Sequence, residues 1–235
     1  MASDFSDIRF EVAAANQELA NAGLVSLSFG NASQADRENG VFAIKPSGQA
    51  CDSITPDQIV VVALEDGEVV WGNYRPSSDS STHRVLYRHL PAIGGIVHTH
   101  STYATSWAQA GLPIPCLGTT HADHFRGEVP LTRQLSAAEI NGDYEANTGL
   151  VIAELFGSDG ADPESTPGVL VASHGPFAWG KDSRAAVEHA AVLEFLARLA
   201  SQTLGINPNT TPIGEALLER HFSRKHGPTA YYGQR

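Results

Sequence analysis

The spacing of apolar residues divides the chain into helical and extended segments. The first predicted helix stops at Gly23 and carries apolar residues at helical spacing, at Ile8, Val12, Ala15 and Leu19. A longer amphipathic run predicts a helix with Asp182 as its N-cap and Gly205 as its stop. Further helices are predicted over residues 81–90, 101–111, 136–157 and 212–227.

Short β-rich runs separated by Gly, Asp and Pro occupy the middle of the chain. Strands are predicted in LVSLSFGN, VFAIKPSG, QIVVVALE, GEVVWG, GGIVHTH and GVLVASHGPFAWG, the last as a strand or a hairpin. Gly142 and Gly149 weaken the helix predicted over 136–157. No repeat or linker divides the chain, so residues 1–235 are predicted to form a single domain of α/β class, a sheet covered by helices.

The amino-acid composition limits the cellular location and the classes of binding partner that we expect for this protein. Asp and Glu number 26 against 15 Lys and Arg, and the net charge of -11 disfavours nucleic acid and anionic membranes as partners. A small phosphorylated substrate remains compatible, because local amides and one or two cations hold a phosphate. No apolar run approaches the roughly 18 residues that span a bilayer, and no signal peptide is predicted. Two separated cysteines, Cys51 and Cys116, indicate a reducing, cytoplasmic location.

The candidate chemistry centres on histidines. His98 and His100 end an apolar run, and side chains at i and i+2 of a strand point to the same face. Two adjacent imidazoles suit a metal ion, although an isolated HTH is more typical of a hydrogen-bonded pair. His174 follows another strand and would complete a three-histidine site, to which Asp79 could add a carboxylate. Taken alone, His174 is more typical of a structural residue and Asp79 of a cap or turn.

Several motifs, read in order, resemble those of the metal-dependent class II aldolase/epimerase family. They are GNAS, IKPSG, PSSDSSTH, GGIVHTHS, GTTHADHF, INGDYE, VLVASHGPFAWGKD and RKHGPTAYYGQ. The resemblance implies a class II aldolase-like α/β/α fold, with a central, mostly antiparallel sheet flanked by helices. It implies a divalent metal, usually zinc (Zn2+), bound by Asp79, His98, His100 and His174. Manganese (Mn2+) and cobalt (Co2+) suit the same ligands.

The resemblance also implies which residues hold phosphate and move protons. The matching phosphate loops contribute Gly30, Asn31, Lys45, Ser47, Gly48, Ser77 and Ser78. Their backbone amides, hydroxyls and single lysine suit an anion, although Gly, Ser and Asn are also the usual turn formers. Asp123 and Tyr232 match the acid/base pair of the family, whose alternatives are a solvated loop residue and a packed tail aromatic.

The remaining expectations concern assembly. His221 matches a residue near the phosphate, with an exposed helix histidine as the equal alternative. The family implies a homotetramer with active sites between adjacent subunits, in which Thr119 and Asp123 come from the neighbour. The other histidines, among them His83, His121, His124 and His226, are expected to be structural or surface groups.

The activity implied by the resemblance is the interconversion of L-ribulose 5-phosphate and D-xylulose 5-phosphate. C4 is not α to the carbonyl, so enolisation cannot invert it, whereas breaking and re-forming the C3–C4 bond can. The alternative is a sugar-phosphate aldolase of the L-fuculose 1-phosphate type. Asp79 counts against it, because those aldolases typically carry Glu there. A non-catalytic scaffold, as in adducin head domains, is a third reading, which the retained ligand set disfavours. The sequence does not separate L-arabinose catabolism from other routes through L-ribulose 5-phosphate.

Overall fold

An antiparallel sheet forms the centre of the structure, a computed structural model that describes residues 4–157, 160–226 and 230–231. Within these residues the strands are β1 (Asn31–Asp36), β2 (Val41–Ile44), β3 (Val60–Ala63), β4 (Val69–Trp71), β5 (Gly95–His98), β6 (Gly168–Val171) and β7 (Gly175–Gly180). The strand order is β4-β3-β2-β1-β5-β7-β6, and every neighbouring pair is antiparallel. The central position of β1 and β5 places their ends side by side, with Asn31 opposite His98.

Helices cover both faces of the sheet. In chain order they are α1 (Ser6–Asn21), α2 (Ser80–His89), α3 (Thr102–Ala110), α4 (Thr119–Ala122), α5 (Ala137–Asn141), α6 (Tyr144–Ala153), α7 (Ser183–Ile206) and α8 (Glu215–Lys225). Among the helices described, none combines the length and the apolar character needed to cross a membrane.

Alternation along the strands sends side chains to opposite faces, as the period of two requires. Phe42 and Ile44 of β2 pack with α2 and α6, whereas Val41 and Ala43 of the same strand pack with α1. The side chains of β5 and β7 also alternate between the two faces of the sheet. One set packs on the face covered by α2 and α6, and the other packs on the face covered by α7 and α1. The predicted α/β/α arrangement with a mostly antiparallel sheet is therefore confirmed.

The strand predicted in LVSLSFGN is wrong. Residues 24–30 form turns and irregular backbone, and β1 begins only at Asn31. Leu27 has a left-handed backbone (φ 56°) and is 79% exposed, so the alternation reflects exposed apolar residues rather than a buried strand face. Gly30 ends the segment with φ 80°, and a Cβ there would lie 2.8 Å from the His98 carbonyl oxygen. Glycine at position 30 therefore lets the chain pass close to the end of β5.

Two helix predictions need correction. The helix predicted over 136–157 is divided at Gly142 into α5 and α6, because Asp143 caps α6 by accepting a hydrogen bond from the Ala146 amide at 3.2 Å. The helix predicted to stop at Gly205 continues through that residue to Ile206. The short helix α4 carries no apolar periodicity and was not predicted.

The N-cap predicted at Asp182 is confirmed, since its carboxylate accepts a hydrogen bond from the Ala185 amide at 2.7 Å. Replacing Asp182 with alanine is expected to lower the free energy of unfolding by about 1 kcal/mol, because a donor at the start of α7 loses its partner. Urea denaturation measures the change. Glu188→Ala, at an exposed position of the same helix, is the matched control. An equal loss of stability in both variants would contradict the capping role.

Candidate active site

Three imidazoles converge where β5 ends and the β6–β7 hairpin turns. His98 is the last residue of β5, His100 follows it outside the strand, and His174 lies in the turn before β7. The Nε2 atoms of His98 and His100 are 3.2 Å apart, and one ring nitrogen of each of the three histidines lies within 4.8 Å of the others. The two neighbouring histidines thus meet although only His98 belongs to the strand.

Hydrogen bonding and burial hold His98 in a metal-binding form. Its Nδ1 donates to the Pro176 carbonyl at 3.0 Å, which leaves a lone pair on Nε2, and its ring stacks on Phe177 with centroids 4.2 Å apart. Burial lowers the pKa of His98 to about 3, and the imidazoles of His174 and His100 add to the decrease while Asp79 opposes it. A neutral imidazole whose bare Nε2 faces a second Nε2 suits a shared cation, so this donor set fits a divalent metal.

His174 is oriented in a comparable way. Its Nδ1 lies 3.4 Å from the Tyr144 hydroxyl, and the two rings stack with their planes 24° apart. Burial lowers the pKa of His174, with a contribution from His100, which keeps this imidazole neutral as well. A hydroxyl beside Nδ1 leaves Nε2 for a metal ion.

Asp79 lies beside the histidines but outside the group of converging ligand atoms. Its Oδ2 accepts a hydrogen bond from Asn31 Nδ2 at 2.7 Å, and the same amide group lies 3.3 Å from Ser77 Oγ. Burial alone would raise the pKa of Asp79, but His98, His83 and the Asn31 hydrogen bond lower it below its ordinary value. Asp79 is thus a carboxylate near neutral pH.

A cleft of about 450 Å³ brings the histidines together with the predicted phosphate loops. Its lining includes His98, His100, His174 and Asp79 along with Gly30, Asn31, Lys45, Ser47, Gly48, Ser77 and Ser78. The sequence motifs that carry these residues are far apart in the chain, and the β1–β5 pairing together with the start of α2 assembles them.

Lys45 is the cation of the cleft, although it is only 2% exposed. Its ammonium donates to the carbonyl oxygens of Ser28 at 3.1 Å and Gln49 at 2.5 Å. Burial lowers the pKa of Lys45, while Cys51 and Asp79 oppose the decrease. Two of the three ammonium protons are therefore engaged by backbone carbonyls.

A second cluster of site residues predicted from the sequence forms around Asp123, between α4 and α8. Asp123 follows α4, which begins at Thr119, and its carboxylate accepts hydrogen bonds from His221 at 3.0 Å and from the Arg224 guanidinium. His221 is thus half-buried and paired, which excludes the alternative of an exposed helix histidine. Among the residues described, Thr119, Asp123 and His221 do not line the histidine cleft. Tyr232 lies outside the described residues.

Several residues beside these sites were not singled out from the sequence. Tyr144 and Glu145 line the cleft, Pro176 orients His98 through its carbonyl, and Arg224 holds Asp123. Tyr144, Glu145 and Arg224 lie in the motifs INGDYE and RKHGPTAYYGQ. These three residues could therefore have been selected from the motifs. The role of the Pro176 carbonyl could not, because a backbone group does not depend on the residue type.

Comparisons with known proteins agree with this geometry. Residues 10–201 match the family described as class II aldolase and adducin N-terminal domain. The chain is 54% identical over 228 residues to proteins named L-ribulose-5-phosphate 4-epimerase UlaF from Salmonella paratyphi A and Salmonella typhi, covering 97% of this chain and 99% of theirs. A solved structure of an L-fuculose 1-phosphate aldolase superposes with a TM-score of 0.78 at 26% identity, covering 95% of this chain and 97% of that one. The chain therefore belongs to the class II aldolase and adducin N-terminal domain family.

Proposed function

We propose that this protein is a divalent-metal-dependent 4-epimerase, an isomerase that interconverts L-ribulose 5-phosphate and D-xylulose 5-phosphate. The observation that carries the proposal is the single cleft in which three metal-competent histidines face loops suited to a phosphate. The relatives named as 4-epimerases, 54% identical over nearly the whole chain, support the choice of substrate. We propose zinc as the metal, with manganese and cobalt as substitutes.

The cleft divides into an anchoring part and a reacting part. The backbone at Gly48, the hydroxyls of Ser47 and Ser78, and the Lys45 ammonium would hold the phosphate. The metal, when bound by the histidines, supplies a Lewis acid for the carbonyl end of the substrate. Asn31 would keep Asp79 oriented through its short hydrogen bond, while the same amide group also donates to Ser77.

Inversion at C4 requires that the carbonyl end of the substrate and its phosphate stay bound while the aldehyde group between them rotates. The C3–C4 bond breaks as the C4 hydroxyl loses its proton, and the bonding electrons pass to the C1–C3 fragment, which becomes the enediolate of dihydroxyacetone. The released glycolaldehyde phosphate stays bound through its phosphate, and C3 of the enediolate attacks it when the bond re-forms. Its aldehyde turns over, and the bond re-forms on the other face with return of a proton to the C4 oxygen. Asp123 and Tyr232 would exchange that proton on the two faces, because a carboxylate and a phenol are groups able to act as base and acid.

The proton-transfer residues of the proposal would come from a second copy of the chain. The cluster around Asp123 does not line the cleft of its own chain among the residues described, which supports a site shared between adjacent subunits. We therefore propose a homotetramer, in which Thr119 and Asp123 of one subunit face the histidines of the next. A location in the cytoplasm is part of the same proposal, since both cysteines are unpaired.

The direct test is incubation of the purified, metal-loaded protein with L-ribulose 5-phosphate, with D-xylulose 5-phosphate followed in a coupled assay. Accumulation of the epimer supports the proposal. The alternative, suggested by the solved L-fuculose 1-phosphate aldolase, predicts a free aldehyde and dihydroxyacetone phosphate when L-fuculose 1-phosphate is supplied instead. Neither product from either sugar phosphate would favour the scaffold reading.

Phosphate anchoring leads to a separate prediction. Ser78 is exposed in the cleft, and Ser78→Ala is expected to raise KM about tenfold and to release some glycolaldehyde phosphate, because one charge-assisted hydrogen bond of about 1.5 kcal/mol is lost. Trapping the free aldehyde measures the escape. Ser106→Ala, whose hydroxyl bonds the Thr102 carbonyl within α3, is the control. Unchanged KM and no free aldehyde would argue against this loop as an anchor.

A further inference from the structure

One arginine holds the Asp123 carboxylate through both of its oxygens. Arg224 Nε donates to Oδ1 at 2.9 Å, and a terminal nitrogen of the same guanidinium donates to Oδ2 at 2.6 Å. Asp123 is only 8% exposed, so its carboxylate is largely shielded from water, whereas the Arg224 side chain is partly exposed. A forked arginine–carboxylate pair fixes the plane of the carboxylate as well as its position, which a lysine or a single hydrogen bond does not.

The same turn of α8 also contacts Tyr231, one of the two described residues beyond His226. The Tyr231 amide donates to the Arg224 carbonyl at 3.0 Å, and the Arg220 guanidinium lies 5.6 Å from the centre of the Tyr231 ring. Tyr231 directly precedes Tyr232 in the chain. One residue of α8 therefore binds Asp123 with its side chain and the neighbour of Tyr232 with its backbone.

Other charged and titratable groups face Asp123 from both packed elements. His221 Nδ1 bonds the carboxylate from α8, His226 Nε2 donates to the Asp123 carbonyl at 2.9 Å, and Lys225 lies 3.3 Å from His124 beside it. Burial would raise the pKa of Asp123, but the hydrogen bonds from Arg224 and His221 and the charges of Arg224 and Lys225 lower it below its ordinary value.

We propose that Arg224 is a positioning residue that orients the Asp123 carboxylate for proton transfer. The inference rests on the proposed epimerase function, in which Asp123 exchanges the C4-hydroxyl proton. A carboxylate free to rotate would present the wrong lone pair for most of the time, and misplacement of a reacting group by about 1 Å costs roughly 100-fold in rate. Arg224 is not among the described residues that line the histidine cleft, and its side chain bonds to Asp123, so the proposed role acts through Asp123.

The test compares Arg224→Gln and Arg224→Lys with the wild-type protein across pH. Arg224→Gln is expected to lower kcat about 100-fold with unchanged metal content. It is also expected to move the acidic limb of kcat/KM to higher pH. The sign follows because the pKa of Asp123 rises once the bidentate bond and the positive charge are gone while burial remains, so the base form is lost at a higher pH.

Arg224→Lys separates charge from geometry. The ammonium keeps the positive charge, so the acidic limb should stay close to that of the wild-type protein, while kcat stays lowered because the fork is absent. Arg126→Gln is the matched control, since Arg126 is exposed and pairs with Glu219 of α8, the helix that also carries Arg224. It should leave both readouts unchanged. Thermal unfolding of each variant shows whether the protein remains folded.

A folded Arg224→Gln protein with wild-type kcat and an unmoved acidic limb would overturn the positioning role. The proposed function fails in a different way, by absence of epimerisation in the wild-type protein. Carbon-13 carboxyl NMR of the protein without substrate provides a readout that needs no activity, with the Asp123 signal identified by its loss in Asp123→Asn. An Asp123 titration unchanged by Arg224→Gln would overturn the Arg224 inference alone.

Discussion

Replacing His100 with alanine is expected to remove the bound divalent metal and epimerisation together. His100 Nε2 lies 3.2 Å from His98 Nε2, so its loss breaks the three-imidazole site and leaves only His98 and His174 of its histidine ligands. Turnover should fall by about 1,000-fold or more, because Lewis-acid stabilisation contributes several kcal/mol to the barrier. Metal content by mass spectrometry and the coupled assay for D-xylulose 5-phosphate measure the two losses. His98→Ala should behave alike.

The controls separate loss of metal from loss of fold. His89 lies exposed on α2, away from the cluster, and His89→Ala should keep full metal occupancy and turnover. Wild-type protein stripped by a chelator should recover activity on addition of zinc, manganese or cobalt, whereas His100→Ala should not. Full occupancy with normal turnover in both His98→Ala and His100→Ala would remove the metal assignment.

The parts of the fold that were predicted correctly are those whose signal is local. The helix α7 combines an apolar stripe with an N-cap at Asp182, and both features lie within one segment. The strands β2, β3 and β5 are buried throughout most of their length, so their apolar runs are strong. The helix α4 has no such pattern, because its four residues are fixed by packing against α8.

The wrong strand at residues 24–30 shows where periodicity fails. Leu27 and Phe29 alternate with polar residues as a strand would, but both are exposed, at 79% and 55%. An alternation of apolar and polar residues predicts only that neighbouring side chains point in opposite directions. Tertiary contacts decide whether the apolar side is buried. Here the covering element is absent on the described part of the chain. The close passage of Gly30 by β5 decides the local path.

In the candidate site, too, the residues that lie close together in the sequence were predictable and those joined only by folding were not. His98 and His100 are neighbours in sequence, so the metal hypothesis was within reach of the residue pattern. Arg224 and Asp123 are 101 residues apart, and nothing in the composition of either segment pairs them. The Pro176 carbonyl that orients His98 is a backbone group 78 residues away. Such partners follow from the β-sheet order and from the docking of α8, which only the folded chain supplies.

Replacing Tyr232 with phenylalanine is expected to lower epimerisation about 100-fold to 10,000-fold, the usual contribution of a general acid or base. The phenylalanine keeps the aromatic ring and removes only the hydroxyl that would donate or accept the C4 proton. Tyr231, the residue before Tyr232, donates its amide hydrogen to the Arg224 carbonyl. This backbone bond does not depend on the Tyr232 hydroxyl, so it should persist in the wild-type protein and in Tyr232→Phe. Metal content should therefore stay unchanged. The coupled assay at saturating substrate measures the loss in kcat.

Tyr231→Phe is the matched control for this experiment. Tyr231 is 59% exposed and its ring lies beside Arg220, so removal of its hydroxyl should leave turnover near the wild-type value. Deletion of residues 230–235 should reproduce the loss seen in Tyr232→Phe and also admit water to the shared site. A tail that only packs would instead lower the unfolding temperature while the folded fraction turned over normally. Wild-type turnover in a well-folded Tyr232→Phe protein would exclude the acid/base role, and proton transfer would then rest on the Asp123 cluster alone.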